Sequence, residues 1–439
     1  MKRKLLLIQP SPYGADGMPI KKRKLYFVGL ALPMLAALTP EDWEVEICLE
    51  TIEDVPFDSD ADLVGISSMG HGIIRSFDIA RRFRDAGKTV IMGGYMASLM
   101  PEETLKHCDS VLIGDAEGVW GEVLSDAAVG SLKSFYRCEI DVLNTPLPRY
   151  DLVLNKNIGD FLPVQAGRGC PNSCSFCSIH CLYRGRYYRR GIPDVMRDIR
   201  HVRSLGFRKF LLLDDNIYAD PEYMMNLCIE IGKLGMQWMS QCSISIGENK
   251  DLLRVLAESG CTALSFGLES ISPESLKAMG KGWADPGEYS ELIAAIRDAG
   301  IDVSTEMVVG ADGDTLESID ATAGFISETG IVLPRFYILT PIPGTDFFEE
   351  MKRENRICNE EIYSYNGTEA VHVPSNMTPD QLTDAYWALY EKVFSFWSIL
   401  KRTIFNRAAL RRPARQFFYL LANLYYRSQV RQRIAPNIY

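Results

Sequence analysis

Three of the eleven cysteines stand apart from the rest by their spacing. The segment Gly167-Arg168-Gly169-Cys170-Pro171-Asn172-Ser173-Cys174-Ser175-Phe176-Cys177 sets three thiols at C-x3-C-x2-C. Three thiolates on one loop are one short of a closed tetrahedral site. A cubane [4Fe-4S] cluster held by three cysteines keeps one iron open to a substrate group, which makes the cluster a reagent rather than a staple. Structural zinc is the alternative and needs a fourth ligand, for which His180 and Cys181 are the local candidates. The other eight, Cys48, Cys108, Cys138, Cys181, Cys228, Cys242, Cys261 and Cys358, sit singly in mostly apolar surroundings and read as small buried hydrophobes. An odd number of cysteines spread over 439 residues argues against a disulfide framework.

The elements that must position these thiols are legible on both sides of them. A strand over 162–166 precedes the loop. After it, strands over 209–213, 237–243, 263–267, 302–309 and 335–340 alternate with helices over 221–234, 250–259, 289–299 and 315–329. Six strand–helix units predict an α/β fold, a parallel (β/α)6 partial barrel over 161–345. Such barrels keep their chemistry at the carboxyl ends of the strands. The polar residues fall there: Asp214-Asp215-Asn216, Gln241, Ser243, Glu269-Ser270, Glu306 and Thr340.

C-x3-C-x-F-C on a loop after a strand resembles the cluster motif of the radical S-adenosylmethionine superfamily, whose barrel is a partial TIM barrel. The resemblance implies that Cys170, Cys174 and Cys177 hold a [4Fe-4S] cluster whose open iron binds the amino and carboxylate groups of S-adenosylmethionine. One electron from the reduced cluster then cleaves the sulfonium bond and releases a 5′-deoxyadenosyl radical. Phe176 in this resemblance packs near the adenine. Asp214-Asp215-Asn216 stands where the family's Gly-Gly-Glu-like stretch touches the methionine amine, although that triplet itself is absent here. Gly267-Leu268-Glu269-Ser270 is similar to the fourth-strand motif near the methionine and ribose, and Val309-Gly310 with Asp312-Gly313-Asp314-Thr315 resembles the fifth-strand adenine loop. Thr340-Pro341-Ile342-Pro343-Gly344-Thr345 is similar to the sixth-strand segment of members that also carry a cobalamin domain. Each alone reads equally as a turn or cap, because Asp-Gly and Pro-Gly form turns anyway; all of them in the right order argue against coincidence. The candidate S-adenosylmethionine contacts are therefore Phe176, Asp214, Asp215, Gln241, Ser243, Glu269 and Ser270. No catalytic residue is assigned.

Residues 1–145 form their own alternating unit. Strands over 5–8, 45–49, 63–67, 89–92 and 110–113 interleave with helices over 28–38, 77–86 and 116–124. This predicts an open doubly wound, Rossmann-like sheet, where ligands bind beyond the carboxyl ends of the strands. No G-x-G-x-x-G follows the first strand, which argues against dinucleotide binding. Gly65-Ile66-Ser67-Ser68-Met69-Gly70, Gly93-Gly94-Tyr95 and Ile113-Gly114-Asp115-Ala116-Glu117 instead resemble the loops of the B12-binding domain that precedes the barrel in cobalamin-dependent members. Glycines there let the backbone approach the corrin. The D-x-H-x-x-G loop that donates a histidine to cobalt in other cobalamin enzymes is absent, which implies base-off cobalt. Tyr13, Ser67, His71, Gly93, Gly94 and Gly114 are the candidate cobalamin contacts.

The proline-rich stretch Asn144-Thr145-Pro146-Leu147-Pro148-Arg149-Tyr150-Asp151 marks a linker, taken as 146–160. Past 345 a C-terminal helical region follows: a charged helix over 351–357, a polar aromatic stretch over 363–373, and a helix from Thr378 with Leu382, Ala385, Tyr386 and Leu389 at core spacing. Hydrophobic residues make up 47% and charged residues 24%, the balance of a soluble globular chain. The net charge of −10 argues against nucleic-acid binding. It is unevenly spread: residues 400–439 carry nine basic and no acidic side chains, leaving 38 basic against 57 acidic before them. Phe405, Phe417, Phe418, Tyr419, Tyr425, Tyr426 and Tyr439 interleave with Lys401, Arg402, Arg407, Arg411, Arg412, Arg415, Arg427, Arg431 and Arg433. Such a tail either caps the chain's own acidic domains or lies on an anionic membrane surface. The longest nearly uncharged apolar run, 26–38, is too short to span a bilayer, and the basic start running into Leu5-Leu6-Leu7-Ile8 reads as a strand rather than a signal peptide. The expected location is the cytoplasm, with membrane association through the tail.

The resemblance implies a cobalamin-dependent methyltransferase acting on an unactivated carbon of a small-molecule or lipid substrate. The alternative is a radical cyclisation, oxidation or carbon–carbon coupling without methyl transfer. A cluster-based sensor is the reading from another class, and the order of strand-end motifs argues against it. An electron donor such as flavodoxin or ferredoxin is the implied protein partner.

Overall fold

The computed structural model describes residues 2–14, 16–138, 145–405 and 413–436; Asn144 of the connector and Arg407, Arg411, Arg412 and Tyr439 of the tail lie outside them. β1 (Arg3–Gln9) buries its four central residues, Leu5 to Ile8. A run apolar on both faces suits a central parallel strand covered by helices on both sides. Leu6 and Ile8 enter one core with Ile66, Val90 and Met92, and Leu5 and Leu7 enter the other with Leu63, Ile91 and Trp120. β2 (Leu25–Phe27) leaves this sheet. β3 (Trp43–Leu49), β4 (Leu63–Ser67), β5 (Thr89–Gly93), β6 (Ser110–Ile113) and β7 (Phe135–Arg137) join β1 in the order β3-β1-β4-β5-β6-β7. Every pairing is parallel. Strand order reverses between β1 and β4, the place where such sheets open a ligand crevice.

β2 crosses to the second sheet and lies parallel to β8 (Ile158–Val164), with Phe27 opposite Phe161. Gly159 permits the approach, since a β-carbon there would overlap the Tyr26 carbonyl. β9 (Gly167–Gly169) and β10 (Tyr187–Arg189) form a small antiparallel pair that brackets the cysteine loop. β11 (Lys209–Leu212), β12 (Gln237–Cys242), β13 (Cys261–Glu269), β14 (Asp302–Val309) and β15 (Leu333–Ile338) complete the curled sheet β15-β14-β13-β12-β11-β8-β2. The expected six parallel barrel strands are present in the expected order, and β2 adds a seventh from the N-terminal segment. Along β14, Val303, Thr305, Met307 and Val309 are buried, while Ser304, Glu306 and Val308 alternate with them as half-buried residues. That alternation turns one face to the helices and the other to the concave side.

Two helices between the cysteines and β11 escape a reading of periodicity, Ser178–Tyr183 and Ile192–Ser204. The second is the crossover that a parallel step from β8 to β11 requires. The charged helix expected over 351–357 forms earlier, as Asp346–Arg353. Thr345 caps it by accepting from the Phe348 N–H at 3.2 Å, and Asp346 and Glu349 occupy its first turn, where the helix dipole favours them. The helix Pro379–Val393 starts at a reciprocal Thr378–Gln381 cap and buries Leu382, Tyr386, Leu389, Tyr390 and Val393. The Tyr390 hydroxyl accepts from the Phe336 N–H and donates to the Phe336 carbonyl, both at 3.0 Å. It thereby satisfies the edge strand β15 as a neighbouring strand would.

Arg402, fully buried, ties the last helices down. Its guanidinium donates to the Ile331 and Val393 carbonyls at 2.9 Å and to Asn423 Oδ1 at 3.0 Å. Arg402→Leu strands these acceptors without donors, and we expect a loss of about 3 kcal/mol in unfolding free energy, read from the urea midpoint of the full chain. An unchanged midpoint would show that the C-terminal helices are not anchored there.

Candidate active site

The cysteine loop is held from both sides. Asp214, buried at the end of β11, accepts from the Ala166 N–H at 2.8 Å and from the Tyr187 hydroxyl at 3.3 Å. Asp215 accepts from the Gly169 N–H at 2.7 Å. Asn216 Nδ2 stands 3.7 Å from Cys170 Sγ, and its Oδ1 accepts from the Ser243 N–H at 3.0 Å. From the other side, the Ser175 N–H donates to the Met279 carbonyl, and the Phe347 N–H donates to the Ser175 carbonyl, both at 3.0 Å. Burial pushes the Asp214 carboxyl up to about 7, against the pull of the Ala166 and Gly167 N–H groups. The acidic pair at the end of β11 therefore fixes the backbone that carries the thiols.

Cys174 is buried, and Cys170 and Cys177 are half-buried. Burial pushes the Cys174 thiol up to about 12, opposed by the nearby Lys281 ammonium. Burial also raises Cys177, while the His180 and Ile179 N–H groups pull it down. Cys170, Cys174 and Cys177 are in no disulfide. Among the described residues no three His, Cys, Asp or Glu side chains are close enough to hold one metal ion. The donor set fits a cluster, in which separate irons each take one sulfur. Metal loading replaces the thiol protons, so burial that opposes a bare thiolate does not oppose a metal-bound one.

Lys281, which the sequence reading passed over, is the buried cation of the site. It donates to the Gly267 carbonyl and to Glu269 Oε1, the latter at 2.9 Å. Glu269 takes a left-handed backbone, φ 63°, at the end of β13. Ser270 Oγ lies 3.5 Å from Asp314 Oδ1, and Asp314 Oδ2 accepts from the Gly310 and Ala311 N–H groups at 2.8 and 3.1 Å. The ends of β13 and β14 are thus one hydrogen-bonded unit. Gln241 is exposed on β12, and Phe176 packs half-buried against the barrel core.

A cavity of about 810 Å³ lies between the two sheets. Ser67, Gly93, Gly94 and Gly114 line it at the carboxyl ends of β4, β5 and β6. Opposite them stand Gln165, Arg168, Tyr183 and Leu213 of the barrel, with Met34, Leu35 and Leu38 along one side. Gly94 is required, because its φ is 96° and a β-carbon would overlap the Ser68 carbonyl. Tyr13 and His71 are not among the lining residues. Tyr13 donates to Asp78 at 2.6 Å, and His71 is half-buried in the turn Gly70–Gly72, where burial lowers its pKa.

Arg168, two residues before Cys170, spans the cavity floor. Its guanidinium pairs with Glu117 and, at 3.1 Å, with Asp115, both from the loop after β6, and Nε donates to Gln165 Oε1 at 2.7 Å. Burial works against the Arg168 charge, yet the bond to Glu117 and the attraction of both carboxylates hold it firmly protonated. Burial raises the Asp115 carboxyl against the pull of Arg168, and the Tyr183 hydroxyl donates to it at 3.2 Å. Nothing in the spacing of Asp115, Glu117 and Arg168 along the chain announces this cluster, although all three lie inside segments singled out for their glycines and thiols.

Two outcomes follow. Changing any one of Cys170, Cys174 or Cys177 to Ala should drop bound iron from about four per chain to below one, because two thiols do not retain a cubane. Iron analysis after anaerobic purification reads this, and near-normal iron in any of the three variants would remove that residue from the ligand set. Arg168→Gln leaves two buried carboxylates unpaired at a cost of about 3–5 kcal/mol. Adding Glu117→Gln should recover part of it in a double-mutant cycle of unfolding free energies, and strict additivity would dissolve the pair.

The family model for the Radical SAM superfamily matches residues 164–326. Over 419 residues the chain is 30% identical to bacteriochlorophyllide d C-12(1)-methyltransferase of Chlorobaculum tepidum, covering 91% of this chain and 89% of that one. It is 30% identical over 397 residues to bacteriochlorophyllide d C-8(2)-methyltransferase of the same organism, with 86% and 88% covered. Among solved structures, the radical S-adenosylmethionine methyltransferase TsrM from Kitasatospora setae, with cobalamin and a [4Fe-4S] cluster bound, shares the fold. That likeness has a TM-score of 0.65 at 18% identity, over 81% of this chain and 78% of that one. With the cysteine loop, the curled parallel barrel and the doubly wound N-terminal sheet in place, the chain belongs to the radical S-adenosylmethionine enzymes that carry a B12-binding-type domain.

Proposed function

We propose that this enzyme is a cobalamin-dependent methyltransferase that transfers a methyl group to an unactivated carbon of an extended, apolar small molecule. One observation carries the reading: the cavity at the carboxyl ends of the N-terminal sheet shares a wall with the cysteine loop, through Arg168. Two cofactor sites that must cooperate are thereby adjacent. The two bacteriochlorophyllide methyltransferases support an extended apolar acceptor.

The residues present fit the implied groups. Cys170, Cys174 and Cys177 would hold the cluster, with Asn216 and Lys281 placed to offset charge on the sulfurs. Glu269, Ser270 and the Gly310–Asp314 loop would hold S-adenosylmethionine, and Gln241 is open to it on the concave side. The glycine-lined cavity would hold the corrinoid, and Asp115 Oδ2, buried with no hydrogen-bond partner, offers an acceptor to its amide groups. When bound, the cluster with S-adenosylmethionine supplies hydrogen abstraction and the corrinoid supplies the methyl group.

The chain's own part is to align and to exclude water. Asp214 and Asp215 fix the loop backbone, and Arg168 fixes that loop against the N-terminal unit. Glu306 pairs with Arg335 on the concave side of β14 and β15, leaving a polar patch for the acceptor's own polar groups. The segment after β15 covers the strand ends: His372 Nε2 lies 3.1 Å from the Gly310 carbonyl, Arg356 pairs with Asp312, and Asn376 donates to the Asp312 carbonyl at 2.8 Å. A small reduced iron–sulfur or flavin protein would deliver the electron.

Anaerobic purification with cobalamin supplied should yield about four irons and about one corrinoid per chain. With S-adenosylmethionine, reductant and a chlorin-type acceptor, 5′-deoxyadenosine and S-adenosylhomocysteine should then form in step. Deoxyadenosine alone would replace methyl transfer by a radical rearrangement or coupling, and a preparation without corrinoid would end the methylation reading.

A further inference from the structure

The helix Pro413–Val430 buries two amides, Gln416 and Asn423, beside Tyr419 and Val430, and turns apolar residues outward. Gln416, Tyr419, Asn423 and Val430 are buried at helical spacing. Asn423 donates to the Val332 carbonyl at 2.9 Å and accepts from Arg402, and the Tyr419 hydroxyl and Arg415 meet Asp302 at 2.6 and 2.9 Å. The outward residues are Phe417, Phe418, Leu421 and Tyr425, between 51% and 62% exposed. An ordinary surface helix has the reverse arrangement. The neighbouring helix Phe396–Thr403 buries Arg402 and Thr403 together with Ile399, while Trp397 is 74% exposed. Phe405, just beyond, is 70% exposed.

The charge around these aromatics selects what covers them. After Glu391 the chain has no acidic residue, and Lys401, Arg431 and Arg433 are exposed on the same helical cap. Cations beside exposed aromatic rings match an anionic lipid surface, where rings sit at headgroup depth and ammonium or guanidinium groups meet phosphate. A two-fold pairing of the same face would instead bring these cations against their own copies. No helix among the described residues is long and apolar enough to cross a membrane, so contact would be peripheral.

We propose that the outer faces of the helices Phe396–Thr403 and Pro413–Val430 form a docking surface for an anionic lipid bilayer. This stands apart from the methyl-transfer reading and is tested separately. The full chain should co-sediment with vesicles of phosphatidylcholine and phosphatidylglycerol, and far less with phosphatidylcholine alone. Two variants should each lose about tenfold in partition coefficient, W397S/F417S/F418S through lost ring insertion and K401E/R431E/R433E through lost charge. All substituted residues are exposed, and iron content and unfolding midpoint like those of the parent would confirm intact folding. Absent binding to anionic vesicles, or binding by both variants equal to that of the parent, overturns the proposal. So does a dimer in sedimentation velocity that W397S/F417S/F418S converts to monomer, because a second copy would then be the occupant.

Discussion

The structure depends on one largely buried ionic contact, Arg168 with Glu117 and Asp115. An arginine buried against two carboxylates is poor value as a source of stability, since desolvating the charges cancels much of their attraction. What such a contact does well is fix register. Arg168 lies two residues before the first thiol, and its partners lie directly after the strand end that opens the cavity. A shift of the N-terminal sheet relative to the barrel breaks the contact, leaving buried charges unpaired. Strand β2 works toward the same end by continuing the barrel sheet with residues from the N-terminal segment. The two units are therefore held together around the cavity that both of them line.

The same economy governs the thiol loop. A loop of this composition has little apolar surface with which to hold itself, so its backbone N–H groups are satisfied by carboxylates from the end of β11. Residues that resemble ligand contacts in the sequence are, in the folded chain, loop supports. Asp214 and Asp215 thereby shape the rim at the carboxyl end of β11. Lys281 completes the arrangement as a buried ammonium beside the Cys174 thiol, already neutralised by Glu269.

Much of this was legible in the sequence. The strands 63–67, 110–113 and 302–309 agree with the structure to the residue, because each is a short apolar or alternating run between turn formers. The thiol motif and the glycine loops declared themselves by spacing. β2 was not legible, since Leu25-Tyr26-Phe27 is too short for a period and its partner lies more than a hundred residues away. The helix Asp346–Arg353 was misplaced because its start is set by the Thr345 cap rather than by hydrophobic period. Tyr13 and His71 were proposed from loop position alone, and loop position does not say which way a side chain faces. Arg168, Asp115 and Glu117 were in view, but a salt bridge between distant segments has no local signature.

The basic tail shows how two readings of a sequence can both describe one helix. Composition offered either a cap on the acidic domains or a membrane-facing segment. Arg415 and Tyr419 on Asp302 are the cap. Phe417, Phe418, Leu421 and Tyr425 belong to neither the barrel core nor the N-terminal cores. Had the helix needed only to cap, burying its aromatic stripe and exposing its amides would have been worth roughly 1.5–3 kcal/mol per aromatic side chain. Forgoing that gain at several positions is the pattern of a face kept for a contact outside the chain. The arrangement of polar and apolar faces is thus a stronger indication of a second surface than the charge of the tail, which an acidic domain alone could explain.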